Sequence, residues 1–189
     1  MILTLVQLLV LSCEYLMAIV NCKPTVMANT FISFIHEEQQ VATAVRNLLR
    51  DKLGHEHNIF LSADNWQMRA GEDWFERVRE ELDRARVVVL LLSPNSISRP
   101  WINFEAGAGW LARKSIIPVC FGGLQRENLP RPYSNLQALD LRSQYYELVR
   151  DHLHWLTEGR VIPPVPFSPW DPMVVALHEE LDRLPEHNS

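Results

Sequence analysis

Glycine is scarce in this chain, with seven in 189 residues, and its absence matters most after the first predicted strand. The segment there, His36-Glu37-Glu38-Gln39, holds none. A Rossmann or P-loop phosphate cradle needs glycine at that turn so that backbone N–H groups can approach the phosphates, and both are excluded. A dinucleotide, if bound, is held in another way. No G-x-S-x-G elbow occurs, which removes the α/β-hydrolase arrangement. Seven histidines lie scattered without metal-ligand spacing, and Cys13, Cys22 and Cys120 form no C-x-x-C pair. The expectation is a reducing compartment, no metal site, and Cys120 buried in an apolar strand. Excess positive charge is missing as well. The formal net charge is −5 with both signs interleaved, which argues against nucleic acid, since phosphate binding needs a concentrated basic face. There is no internal repeat, no low-complexity tract and no second recognisable domain.

What is present is an ordinary globular composition, 47% hydrophobic and 22% charged, sufficient for one domain with a core. Residues 1–20 depart from it, being almost wholly apolar. The 1–26 segment reads either as a membrane anchor or as an extension from a start assigned too early. It lacks a basic n-region and an A-x-A cleavage site, and Glu14 lies inside it, so secretion is the least supported fate. The expected location is the cytoplasm, with anchoring through residues 1–20 left open. The domain proper spans 27–157, and 158–189 form a Pro-rich linker followed by a C-terminal helix.

From Thr30 onward strands and helices alternate. Phe31-Ile32-Ser33-Phe34-Ile35 reads as a strand, and residues 39–53 as a helix with Val41, Ala44, Val45, Leu48 and Leu49 at helical spacing, closed by Gly54. A second strand covers 58–61. A polar loop over 64–71 leads to a helix over 72–84 with Trp74, Phe75, Val78 and Leu82 on one face. Then comes Val87-Val88-Val89-Leu90-Leu91-Leu92, apolar on both faces, as the centre of a covered parallel sheet requires. A third helix over 98–113, a buried strand over 115–121, an edge strand over 136–141 and helices over 144–156 and 171–184 follow. The pattern is α/β and doubly wound, and ligands in such sheets collect beyond the carboxyl ends of the strands, here after Ile35, Leu61 and Leu92.

Within the third helix Ser98 is placed to cap, Pro100 sits in the first turn where its missing donor costs nothing, and Trp101 and Glu105 lie one turn apart on one face. Alone, the segment fits a core tryptophan and an exposed acid as well as a catalytic pair. Gly107 and Gly109 weaken the helix by about 1 kcal/mol each, which calls for close approach by another backbone or a ligand.

Taken together, these segments resemble the Toll/interleukin-1 receptor (TIR) domain family. Phe31-Ile32-Ser33-Phe34 is similar to its first box, F-I-S-Y. The 64–71 stretch, with an aromatic two residues past Glu72, is similar to its BB loop, and Leu91-Leu92-Ser93-Pro94 to its central strand and turn. Ser98-x-x-Trp101-x-x-x-Glu105 resembles the segment carrying the catalytic glutamate of members that consume NAD, and Ala106-Gly107-Ala108-Gly109-Trp110 is typical of bacterial members. The resemblance covers about residues 30–141. It implies a flavodoxin-like sheet of about five parallel strands flanked by helices, with extra C-terminal helices. Phe34 departs from the usual tyrosine, and Ile35 with His36 stands where some active members carry basic residues.

For function the resemblance implies an NAD glycohydrolase or ADP-ribosyl cyclase of bacterial antiphage defence. NAD is the substrate and no cofactor is needed. Glu105 is the catalytic acid, and Phe34, Ile35, His36, Asp64, Trp66, Arg69 and Trp101 are the substrate-side residues. Trp101 would pack beneath Glu105 and fix its rotamer, Phe34 or Trp66 would stack on a ligand ring, and His36 and Arg69 would meet phosphate charge. Self-association through the 64–71 loop is the expected partnership. The other class left open is a non-catalytic TIR adaptor or effector that works by TIR–TIR contact alone; it has no need of an acid at position 105.

Overall fold

Strand β3, Ala85–Leu92, is the reason the remaining elements lie where they do: Val87 to Leu92 are all fully buried. A strand apolar on both faces must be covered on both. In the computed structural model, which describes residues 29–54, 57–63, 74–159 and 168–185, β3 pairs in parallel with β1 (Asn29–Phe34) on one side and β4 (Ser115–Cys120) on the other. β2 (Ile59–Ala63) adds outside β1, and β5 (Leu139–Asp140) outside β4. The result is a five-stranded parallel sheet of order β2-β1-β3-β4-β5, the flavodoxin-like arrangement.

Odd and even residues of the strands feed separate cores. Ile32, Phe34, Val87, Val89 and Leu91 pack beneath α1 (Gln39–Leu53), α4 (Tyr145–Leu156) and α5 (Pro172–Asp182). Phe31, Val88, Leu90 and Leu92 pack against Val78 and Leu82 of α2 (Trp74–Arg84) and Ile102 and Ala106 of α3 (Pro100–Leu111). β5 is shorter than the alternation suggests: the expected strand over 136–141 pairs with β4 only at Leu139 and Asp140. No helix among the described residues is long and apolar enough to cross a membrane; residues 1–26 lie outside them.

The C-terminal helix belongs to the core. Val174, Leu177 and Leu181 are buried in the cluster that α1 covers. Pro172 opens α5 and the Asp171 carboxylate caps it, accepting from the Met173 amide at 2.9 Å. Asp171 also takes an ion pair from Lys52 of α1, and the Lys52 hydrogen bond, followed by the capping amides, holds its carboxyl below the ordinary range despite partial burial. Replacing Asp171 with Ala removes cap and pair together.

His152 of α4 is completely buried, with Nε2 at 2.7 Å from the Thr30 hydroxyl and Nδ1 without a hydrogen-bond partner among the described residues. Burial, with a smaller contribution from His57, pushes its pKa down to about 3. The folded protein therefore keeps this imidazole neutral while the unfolded chain protonates it below about pH 6.5. Stability falls as pH drops from about 6.5 toward 3, by up to about 1.4 kcal/mol per pH unit. Urea unfolding from pH 7 to 4.5 is expected to show this slope in the wild type and to lose most of it in His152→Gln. Asp171→Ala instead is expected to cost about 1–2 kcal/mol at pH 7. An equal acid slope with and without His152 would refute the first assignment.

Candidate functional site

The sheet reverses its strand order between β1 and β3, and the carboxyl edge at that reversal is where a crevice forms in doubly wound folds. Glu105, on the inward face of α3, meets the sheet beside this edge. It is 0% exposed. Ser33 of β1 donates its hydroxyl to Oε2 and Ser62 of β2 donates to Oε1. The two serines are register partners on neighbouring strands, so their side chains leave the sheet side by side and meet one carboxylate oxygen each. Both are fully buried. Bringing a carboxylate into an apolar layer is costly unless donors replace the lost water. Hydroxyl-to-carboxylate bonds, charge-assisted and short, suit that need.

Local sequence explains how α3 brings the acid there. Pro100 occupies the first helical position, but the N-cap is Arg99, with no side-chain cap bond. The expectation that Ser98 caps the helix is therefore corrected: Ser98 lies one residue too early for its hydroxyl to reach the free amides. The Asn103 side chain instead closes the first turn on the Arg99 carbonyl at 3.0 Å. Gly109 explains itself, since a Cβ there would stand 3.4 Å from Val88 Cγ2 of β3; the close approach is helix against sheet. A Cβ on Gly107 would meet nothing within 4 Å.

The expected site residues separate into three groups. Trp101, half-buried, stacks on Phe104 with centroids 5.5 Å apart, and Phe104 meets Phe75 of α2 at 5.5 Å. The indole Nε1 of Trp101 is buried without a hydrogen-bond partner among the described residues. The carboxylate oxygens of Glu105 are held by the serines, which is the orienting contact that had been expected of Trp101. Phe34 is 2% exposed and lies in the core beneath α1, on the sheet face opposite Ser33. It fills the core, and its expected stacking on a ligand ring is corrected on that ground: successive residues of a strand point to opposite faces. Ile35 is fully buried in the cluster on the α2–α3 side, and His36 stands exposed at the start of a 3-10 turn, His36–Glu38. Asp64, Trp66, Arg69 and the 64–71 loop as a whole lie outside the described residues.

The sequence reading missed a second acid. Glu38, 4% exposed, accepts the Ser93 hydroxyl. That Ser93 oxygen in turn accepts the amides of Asn95 at 3.0 Å and Ser96 at 3.1 Å, while the Ser96 hydroxyl takes the Ser93 amide at 2.8 Å. The turn after β1 is thereby tied to the turn after β3, across the switch point. A signal for all of these was available: Ser33 interrupts the apolar run from Phe31 to Ile35, Ser62 is the one polar residue of β2, and Ser93 directly follows the most apolar run of the chain. Elsewhere, burial raises the Cys120 thiol to about 11, with Asp140 adding to it, which leaves it an inert core residue. No cluster of metal-ligating side chains occurs among the described residues.

A family model described as the TIR domain matches residues 30–153. The chain belongs to the TIR domain family. Among solved structures this TIR domain is similar to a metazoan TIR-STING receptor from C. gigas, at 19% identity and TM-score 0.47. That match covers 68% of this chain and 40% of the receptor, so the chain spans well under half the receptor's length. It is also similar to the TIR domains of the activated Roq1 resistosome that directly recognizes the pathogen effector XopQ. There the identity is 16% and the TM-score 0.47, over 67% of this chain and 97% of that one. No curated protein matches. TIR domains as a family self-associate.

Ser93→Ala removes the donor to buried Glu38 and the acceptor for two turn amides. It is expected to lower stability by about 1–3 kcal/mol, read as a reduced urea midpoint at unchanged m-value. A midpoint equal to wild type would show that the tie between the turns carries no weight.

Proposed function

We propose that this TIR domain cleaves the nicotinamide–ribose bond of NAD, releasing nicotinamide and either ADP-ribose or a cyclic ADP-ribose, in the service of bacterial antiphage defence. One observation supports the reading: Glu105, whose segment resembles the one that carries the family's catalytic glutamate, is buried beside the carboxyl edge of the sheet and held through both carboxylate oxygens by Ser33 and Ser62. An adaptor that works by surface contact alone has no need of an acid at position 105.

The chemistry asks little of the protein beyond such a group. The nicotinamide ring of NAD is a cationic pyridinium; when the C–N bond breaks, the bonding pair goes to nitrogen and the base leaves neutral, so no general acid is required. Positive charge develops on the ribose as an oxocarbenium-like centre. A fixed carboxylate in a site with little water stabilises that charge and accepts hydrogen bonds from the ribose hydroxyls. Capture of the cation by water, which loses a proton to solvent, gives ADP-ribose. Capture by a nucleophilic atom of the same molecule gives a cyclic product. The half-buried ring of Trp101 supplies an apolar surface one turn from the acid, His36 and Arg69 are the candidates to meet phosphate charge, and Trp66 to stack on a ring. Assembly through the 64–71 loop would complete the site between neighbouring copies.

Purified full-length protein, tested across a concentration series so that assembly is sampled, is expected to convert NAD to nicotinamide, with the products resolved by chromatography. Glu105→Gln keeps the size of the side chain but removes its charge. It is expected to lower turnover by on the order of 100-fold or more while the thermal midpoint stays within a few degrees of wild type. A folded Glu105→Gln protein with undiminished turnover would sink the assignment.

A further inference from the structure

Gly107 lies in the interior of α3, and no neighbouring group requires a glycine there. Glycine weakens a helix interior. Gly109 is demanded by the close fit against Val88, but a Cβ on Gly107 would meet nothing within 4 Å. What Gly107 faces is a cleft of about 180 Å³ along the flank of α3 turned toward β4, opposite the flank that brings Glu105 to Ser33 and Ser62. Gly107 and Trp110 form one wall, Tyr133 and Leu136 the other, and Leu90 with Ile116 the floor. The cleft exists because the β4–β5 crossover carries 3-10 turns, Arg126–Asn128 and Tyr133–Asn135, where a parallel sheet ordinarily lays an α-helix. Its walls are tied to each other. The Tyr133 hydroxyl donates to Asn103 Oδ1 at 2.7 Å, and the Asn103 amide is fixed in turn on the Arg99 carbonyl.

The rim indicates what fits. Trp110 is 66% exposed and Leu111, one turn beyond Gly107, is 81% exposed, so apolar surface continues outside the cleft, as it does where a second protein docks. Arg113 follows Trp110, its amide on the Trp110 carbonyl at 3.0 Å, and Arg131 adjoins Pro132 of the outer wall. Both arginines are exposed, and neither holds a carboxylate among the described residues, whereas Arg99 and Arg142 do. None of the described residues lining the cleft is acidic. The volume takes one large side chain and is too small for a drug-sized molecule. We propose that the cleft docks an acidic segment of another protein: one bulky apolar side chain enters over Gly107, and flanking carboxylates meet Arg113 and Arg131. The chain as a whole carries a formal charge of −5, so an acidic segment is repelled in general and drawn to this rim in particular. A second copy docked face to face would instead set arginine against arginine. None of this depends on the NAD-cleaving reading.

Panning a displayed library of short randomised peptides on the full-length protein is expected to enrich sequences in which acidic residues flank a leucine, phenylalanine or methionine. A synthetic peptide of the enriched sequence, followed by fluorescence anisotropy, is expected to bind Gly107→Leu about tenfold or more weakly, because the new side chain fills the cleft. Arg113→Glu combined with Arg131→Glu is expected to weaken binding by a similar factor, and added salt to weaken the wild type. Trp170→Ala, at an exposed tryptophan outside the cleft, is expected to bind as wild type does. Gly107→Leu replaces a helix-interior glycine in open space and is expected to hold or raise the thermal midpoint; the arginine pair tests the same contact from the surface should that variant fail to fold. The proposal is overturned if no sequence is enriched, if the enriched sequences carry no acidic excess, or if they bind folded Gly107→Leu or the arginine double variant as tightly as wild type. Loss of self-association in Gly107→Leu by light scattering, with no peptide enriched, would give the cleft to a second copy and overturn it as well.

Discussion

A parallel sheet whose central strand is apolar on both faces has no stable arrangement unless helices cover each face, and this requirement organises the whole molecule. β3 supplies the demand. The right-handed crossovers that a parallel sheet imposes send α1 to one face and α2 and α3 to the other, and α4 and α5, which follow the last strand, pack beside α1. That division carries α3, and with it Glu105, onto the side where Ser33 and Ser62 project from adjacent strands. The acid is thus a consequence of core construction: the helix is drawn to the sheet by Ile102, Ala106 and the close fit of Gly109 against Val88, and the carboxylate arrives with it into a layer that has donors waiting.

Much of this architecture could be read from period alone. The helix over 39–53 matches α1, and the six-residue apolar run identified the sheet centre without reference to anything else. Element ends were less legible. Propensity places Ser98 as a cap, yet the chain begins α3 at Pro100 because the proline ring already supplies a helical φ and the preceding residue is held extended. The site was legible in its acid and illegible in its setting. Motif spacing pointed to Glu105; it could not say that the partners would be serines from β1 and β2, since those residues are separated from it in sequence and brought together only by strand register. Phe34 shows the reverse error. Its motif suggested a ligand ring, while the alternation of a strand sends it to the opposite face from Ser33.

The same device occurs twice at this edge. Glu105 is met by serines projecting from β1 and β2, and Glu38, in the turn after β1, by a serine just beyond the end of β3. In both cases a short hydroxyl side chain, small enough to fit a packed layer, converts a group that would otherwise be expelled from the interior into one that stays. Such acids tie together segments far apart in the chain, and substitution of either member of a pair acts on both segments.

The family match ends at residue 153, whereas Val174, Leu177 and Leu181 of α5 lie in the main core against α1. The boundary of shared ancestry and the boundary of the folding unit are different things in this chain. A fragment trimmed at the former would uncover the apolar side chains of α1 that Val174, Leu177 and Leu181 cover, and bare core surface of this kind promotes association that has nothing to do with a TIR surface. The last helix thus belongs in any fragment whose association is to be measured.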